Sequence, residues 1–297
     1  MLDRELERRN RSTALLPIIA DIRKDHPTMG CRDMYHLLKP KGIGRDAFER
    51  FCREEGLMSK RIRSFVKTTD SSKTHRFPNR LEGIEITGVN QVWVSDITYY
   101  RVKEKFYYIT FIMDAYSRRI VGHSVSNRLF TEHTTILSLK RAIKTRGGCV
   151  PKGIIIHSDG GGQYYSDKFL ALTNDLKMIN SMCMYPWENG QAERINGVIK
   201  NNYLKHKEVN DFEGLKKEVD RSVSLYNNEK PHIQLHRLSP VQFEKLYFYS
   251  SEKFEGVPNS DGNLTLQTKG NTALRPVAKS PQMQPKRSRI KKVKRLK

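Results

Sequence analysis

The sequence predicts an α/β protein: a mixed five-stranded sheet with helices on both faces, preceded by a small all-helical domain. Three observations carry this reading. Apolar and aromatic residues recur at strand spacing over Val92–Tyr100, Phe106–Met113 and Ile120–Ser126, with only short turns around Lys103 and Ser117 between them, which is the pattern of a three-stranded meander. After Ser126 helical and strand patterns alternate, so the later strands join the sheet through helices that cover its faces. Ahead of the meander lie three short amphipathic stretches of helical period.

In chain order, Leu15, Leu16, Ile18, Ile19 and Ile22 form a helical stripe over Thr13–Asp25 that ends near His26-Pro27. A second helix spans Cys31–Leu38, stopped by Pro40 and Gly42, and a third spans Arg45–Glu55 and closes at Gly56. In the third, Phe48, Phe51 and Cys52 point inward while Arg50 and Arg53 point out, with Arg45 at its exposed start. A basic last helix after a tight turn makes residues 1–60 a helix-turn-helix-like domain suited to a DNA major groove; a plain helical cap on the next domain is the alternative. Residues 61–80 are polar and basic and read as a linker, and residues 81–246 as the core domain. There a helix over Thr131–Lys144 precedes a strand at Gly153–His157, and a helix over Ser166–Leu176 precedes a short strand at Ile179–Met182. Ala192, Ile195, Ile199 and Tyr203 mark a further helix. A last one follows Asp211, with Phe212, Leu215, Val219, Val223 and Tyr226 inward and Asn210 and Glu213 spaced as a capping box. This order of elements is the one a ribonuclease H-like fold requires. Residues 247–297 read as a disordered basic tail whose end, Lys286–Lys297, is suited to phosphates.

The chain of 297 residues carries 54 Lys and Arg against 32 Asp and Glu, a formal charge of +22, which favours a polyanionic partner, nucleic acid above all. Cys31, Cys52, Cys149 and Cys183 are scattered, with no CxxC pair and no zinc-finger spacing, so reduced, packed thiols are expected. No run has the ~20 apolar residues of a membrane span, and the first residues lack the apolar core of a signal peptide, so a cytoplasmic location is expected.

Three acids stand in settings that call for a cation. Asp159 ends the apolar run Gly153-Ile-Ile-Ile-His-Ser-Asp and is followed by three glycines; Asp96 sits within Val92-Trp-Val-Ser-Asp-Ile-Thr-Tyr-Tyr; Glu193 lies on the predicted helix beside its buried stripe, with Asn196 and Lys200 on the same polar face. Burying an unpaired carboxylate is costly, and converging carboxylates suit a pair of Mg²⁺ ions, whereas any one of the three taken alone reads as a turn acid or a surface salt bridge. Asp114, at a strand end, reads instead as a cap or a partner of Arg118 or Arg119, Asp167 and Asp175 as solvated helix residues, and Glu188 as preceding the helix. His157 reads as a packed or supporting residue, and Trp93 and Trp187 as core or loop packing, with base stacking open to Trp187.

The order Asp96, Asp159, Glu193, with a lysine seven residues after the glutamate, resembles the DDE signature of retroviral-integrase-type transposases. The blocks Asn90-Gln-Val-Trp-Val-Ser-Asp-Ile-Thr-Tyr, Met113-Asp-Ala-Tyr-Ser-Arg, His157-Ser-Asp-Gly-Gly-Gly-Gln-Tyr, Trp187-Glu-Asn-Gly-Gln-Ala-Glu-Arg and Tyr226-Asn-Asn-Glu-Lys-Pro-His extend the resemblance to the OrfB half of bacterial insertion-sequence transposases of the IS-three type. Two departures are a slightly shorter interval before Glu193 and Gly160 in place of a charged or amide residue. The resemblance implies an enzyme that frees a 3′-hydroxyl at an element end and joins it to another phosphodiester. Asp96, Asp159 and Glu193 would hold two Mg²⁺ ions, with Mn²⁺ able to substitute. Lys200 would hold terminal phosphates, with Asn196 and Arg194 as further DNA contacts and Arg45, Arg50 and Arg53 as those of the first domain. It also implies a homo-oligomer on DNA, a partner encoded in an upstream frame, and a bacterial, nucleoid-associated setting. A nuclease that never joins strands, or a DNA-binding regulator with an idle pocket, are the alternatives.

Overall fold

The computed structural model describes residues 13–59 and 77–254. The expected linker up to residue 76 and the basic tail from residue 255 lie outside the described residues.

The N-terminal module consists of α1 (Leu16–Asp25), α2 (Cys31–Leu38) and α3 (Arg45–Glu54). Ile19, Met34, Phe48, Phe51 and Cys52 form its buried centre, as the apolar stripes require. Ile18 is an exception: 46% exposed, it lies off the stripe by one residue of helical rotation. Gly56, at φ 68°, ends α3, and Leu57 N–H returns to Cys52 O, a left-handed cap that a residue with a Cβ adopts only under strain. Arg45, Arg50 and Arg53 are exposed; Arg45 bonds Asp46, and Arg53 stands 3.9 Å from Glu49.

The sheet has the order β3-β2-β1-β4-β5. Strands β1 (Val92–Val102), β2 (Lys105–Asp114) and β3 (Ile120–Ser126) form the antiparallel meander, and β4 (Ile155–Ser158) and β5 (Ile179–Met182) add on parallel to β1. This is the ribonuclease H-like arrangement. One face packs on α4 (Thr135–Thr145) and α5 (Asp167–Asp175) through Trp93, Ile112, Val121, Leu139 and Phe169. The other packs on α6 (Gly190–Asn202) and α7 (Phe212–Asn228) through Val92, Val94, Phe111, Ala192, Ile195 and Val219. Alternate β1 residues therefore serve opposite cores. Gly122 in β3 lets α4 come close: a Cβ there would lie 2.2 Å from Ser138 O.

Several elements differ from expectation. The helix expected from Thr131 begins at Thr135, because Thr134 (φ −111°, ψ −92°) separates it from a single turn at Thr131–His133. The cap of α7 is Asp211, whose carboxylate accepts from Gly214 N at 2.7 Å, so the box assigned to Asn210 and Glu213 does not form. Residues 247–254, expected to lack regular structure, continue α8 (Pro240–Phe254), because Tyr247 packs against Tyr116. Residues 77–80 of the expected linker belong to the core: Phe77 stacks on Tyr165, and Arg80 N donates to Ser181 Oγ.

Asp114 caps the β2–β3 turn, accepting from Asn90 N, Tyr116 N and Ser117 N, but its ion partner is Arg146 at 3.4 Å rather than Arg118 or Arg119. Arg146 grips Glu244 of α8 with two bonds of 2.7 Å, and Arg119 also reaches Glu244 at 2.6 Å. The N-terminal module is seated on the core. His26 bridges Tyr203 Oη and Glu229 Oε2, each at 3.2 Å, and Arg221 and Arg237 pair with Asp25 and Asp33.

Candidate active site

Register brings the first two acids together. Parallel pairing of β1 with β4 matches Val92 with Ile155, Trp93 with Ile156 and Val94 with His157. Continued two residues, it sets Asp159 level with Asp96 on the neighbouring strand, about 4.8 Å away by ordinary strand spacing and on the same face. The strand ends at Ser158, so Asp159 emerges at its C-terminal edge, where Gly161 N donates to Oδ1 at 3.2 Å. Asp96 Oδ1 accepts from Ile97 N at 2.9 Å, and its Oδ2 accepts from Asn196 Nδ2 at 2.6 Å.

Helix α6 crosses this face of β1. Ala192, Ile195 and Ile199 enter the core, and Glu193, Asn196 and Lys200 follow at steps of three and four. Asn196 is buried and Lys200 Nζ donates to Thr98 Oγ1 at 2.7 Å, so both side chains engage the strand rather than standing free in a groove. Thr98 was missed in the sequence, although its spacing two residues from Asp96 on a strand sets it on the same face. Also missed was Tyr164, whose hydroxyl shares a 2.7 Å bond with Ser95 Oγ beneath the site. Glu193 is exposed, and among the described residues its side chain makes no hydrogen bond. Arg194 turns to the opposite side of α6, towards Tyr226, Arg118 and Lys230.

The electrostatics are those of a site short of positive charge. Burial pushes the Asp96 carboxyl up to about 8, Asp159 and Glu193 add to that, and Ile97 N and the Lys200 ammonium act against it. Burial likewise raises Asp159, partly offset by the Gly161 N–H. The Lys200 ammonium is itself held below its usual range by burial, with Asp96 opposing. Among the described residues, no three acidic, imidazole or thiol groups are drawn together tightly enough to enclose a metal ion as the side chains lie. Even so, the donor set fits a hard divalent cation: carboxylate oxygens alone, two of them adjacent and costly to ionise without a counter-charge, the third on a free side chain.

The competing residues have other duties. The Glu188 carboxylate accepts from Met184 N and Tyr185 N and folds the loop before α6. His157 is buried, its Nδ1 paired with Ser181 Oγ at 2.9 Å, and burial lowers its imidazole to about 4, so it is a neutral packed residue. Trp93 is buried as expected, but Trp187 is not packed away: 72% exposed, it lies parallel to Tyr185 at 4.5 Å.

Two models, both described as integrase core domain, match residues 87–184 and 174–240. The IS600 insertion-element 31 kDa protein of Shigella sonnei is 32% identical over 229 residues, which cover 74% of this chain and 82% of that protein. Transposase InsF for insertion sequence IS3A of Escherichia coli strain K12 is 31% identical over 201 residues, 65% of this chain and 67% of that protein. Among solved structures, the HTLV-2 integrase catalytic core domain in complex with magnesium matches with a TM-score of 0.43 and 22% identity, covering 52% of this chain and 95% of that one. Over most of its length, then, the chain belongs to the insertion-sequence transposases of the IS3 type, built on an integrase core domain.

Proposed function

We propose that this chain cleaves DNA at the ends of an insertion sequence to free a 3′-hydroxyl and then joins that hydroxyl to a second phosphodiester. The observation that carries the reading is the side-by-side placement of Asp96 and Asp159 beneath the helix that bears Glu193. These three carboxylates would hold two divalent ions, magnesium in the first instance and manganese as a substitute. When bound, the ions lower the pKa of the attacking water or 3′-hydroxyl and stabilise charge on the leaving oxygen. Asn196 donates to Asp96 Oδ2 and so orients the carboxylate that would hold an ion. Lys200, held by Thr98, supplies positive charge beside Asp96 where a phosphate enters. In-line displacement needs no side-chain nucleophile, so neither Ser95 nor Tyr164 has to be exposed.

DNA is the partner that the charge of +22 supports. Arg45, Arg50 and Arg53 on the outer face of α3 would meet the duplex, and the exposed Trp187, in the loop that leads into α6, would offer a nucleobase a stacking surface. Coordinated processing of two ends would require more than one copy on DNA, and a partner from an upstream frame would supply recognition of the terminal repeats. The test follows the products of a labelled element-end duplex with magnesium, for the wild type and for Glu193→Gln. Joined strands that vanish in the variant support the reading. Cleavage without joining would make the protein a nuclease, and joining retained by Glu193→Gln would remove that residue from the site.

A further inference from the structure

Three stretches converge on a place that the carboxylate site does not use. They are the β2–β3 turn ending at Arg118, the start of α6 at Arg194, and the segment Glu229–His232 after α7. Around the buried Tyr226, Arg118, Arg194, Lys230 and His232 all lie within electrostatic reach of Arg194 or of one another. The His232 ring stands edge-on to Tyr226 at 4.8 Å.

Among the described residues, the side chains of Arg118, Arg194 and Lys230 make no hydrogen bond and no ion pair. Arg118 Nε and His232 Nε2 are buried and unsatisfied. Arg118 moreover sits at φ 63°, a left-handed conformation uncommon for a side chain of its size. Two acids approach the group, and both are already engaged: Asp33 by Arg237, and Asp114 by three backbone N–H groups and Arg146. Burial is graded, with Arg194 exposed at the mouth and Arg118 and Lys230 half-buried behind it. Burial lowers both inner cations, and Arg194 repels each of them. His232 is driven to about 3, first by burial and then by Lys230, Arg118 and Arg194, so it is a neutral ring with a nitrogen to spare. Partly desolvated cations with no counter-charge are unfavourable alone and become favourable when an anion with several acceptor oxygens enters.

We propose that Arg118, Arg194 and Lys230, backed by His232, form a second DNA contact: a cradle for one backbone phosphodiester, on the side of α6 away from Asp96. The proposal rests on DNA being the substrate, and it adds a site that the cleavage chemistry does not require. A phosphodiester suits the cradle because three neighbouring cations without a committed counter-charge favour an anion with several acceptor oxygens. Contact at both flanks of α6 would fix a strand across the helix that carries Glu193.

The test is the salt dependence of binding of the full chain to an element-end duplex, by fluorescence anisotropy in EDTA, so that no chemistry intervenes. Arg194→Gln and Lys230→Gln should each flatten the slope of log K against log salt by about one, and weaken binding roughly fivefold at 0.15 M salt. Lys144→Gln, on α4 across the sheet, is the control and should leave the slope unchanged. Sulfate should raise the melting temperature of the wild type more than that of either cradle variant, which a purely structural role would not produce. Unchanged slopes in both cradle variants, or a fall matched by Lys144→Gln, overturn the proposal. If the slopes are unchanged while Glu193→Gln still abolishes joining, the cradle fails and the proposed function stands. If the slopes fall but the wild type never cleaves or joins, the cradle stands and the proposed function fails.

Discussion

Replacing Asp96 by Asn should stabilise the metal-free protein while abolishing its chemistry. In the fold the Asp96 carboxyl is pushed up to about 8, against 3.8 for the free group, first by burial and then by Asp159. At pH 7 the folded protein must therefore keep a proton that the unfolded chain has released. Over roughly three pH units, at about 1.36 kcal/mol each, that costs about 4 kcal/mol. An amide carries no such cost. Both Asp96 oxygens accept hydrogen bonds, from Ile97 N and Asn196 Nδ2, so the new NH₂ faces a donor and loses about 1 kcal/mol. The net expectation is a gain of about 1–3 kcal/mol, or roughly half to one molar in the urea midpoint, read in EDTA by circular dichroism. The raised value also fixes the pH profile. The wild type has its full stability from this group below 3.8 and loses it as pH rises towards 8, so the two proteins should converge near pH 4 and separate most near pH 8. Magnesium should then stabilise the wild type and not the variant. An Asp96→Asn midpoint equal to or below that of the wild type at pH 7 in EDTA would refute the argument that the carboxylates are strained for want of a cation.

Gly122→Ala should lower the melting temperature sharply or leave the protein insoluble, since its Cβ would fall 2.2 Å from Ser138 O and α4 would have to move. Arg146→Met should cost about 3–5 kcal/mol by leaving the buried Asp114 without its cation and Glu244 with Arg119 alone, and adding Glu244→Gln should recover part of the loss; additive losses in the double variant would contradict the pairing. Burial holds the His26 imidazole below its usual value despite the Glu229 carboxylate, so seating of the N-terminal module should be intact above about 6.5 and weaken as pH falls below it. Amide exchange in α1 reads this, and His26→Gln should remove the pH dependence.

The parts of the site that the sequence disclosed are those whose signal is local. Asp96 and Asp159 each interrupt an apolar strand, an arrangement visible within ten residues, and the faces of α6 follow from its period. What the sequence hid depends on partners far along the chain. Arg146 and Glu244 both reach the β2–β3 turn, Arg146 from the end of α4 and Glu244 from α8, so the sequence shows the capping role of Asp114 but offers only the neighbouring Arg118 and Arg119 as its ion partners. Helix α8 runs on past Leu246 because Tyr247 finds Tyr116, a contact no periodicity announces. Asn196 shows a subtler limit: its face was legible, but an amide on a polar face looks the same whether it awaits DNA or already holds Asp96.

The carboxylate pair also depends on the register between β1 and β4. Asp96 lies within β1, and its alignment with Asp159 is inherited from three backbone pairings, Val92 to Val94 against Ile155 to His157. A slip of one residue between β1 and β4 would turn Asp96 away from α6 and into the opposite core, and would send Val94 and Trp93 each into the core that the other now fills. Because β1 is buried on both faces from Val92 to Ser95, that slip would misplace packed side chains on each face, and the two acids are held level by the hydrophobic effect rather than by any bond between them. The irregularity in the sheet, the register shift between Ile112 and Met113, falls on the β2–β3 side, where no carboxylate of the site depends on it.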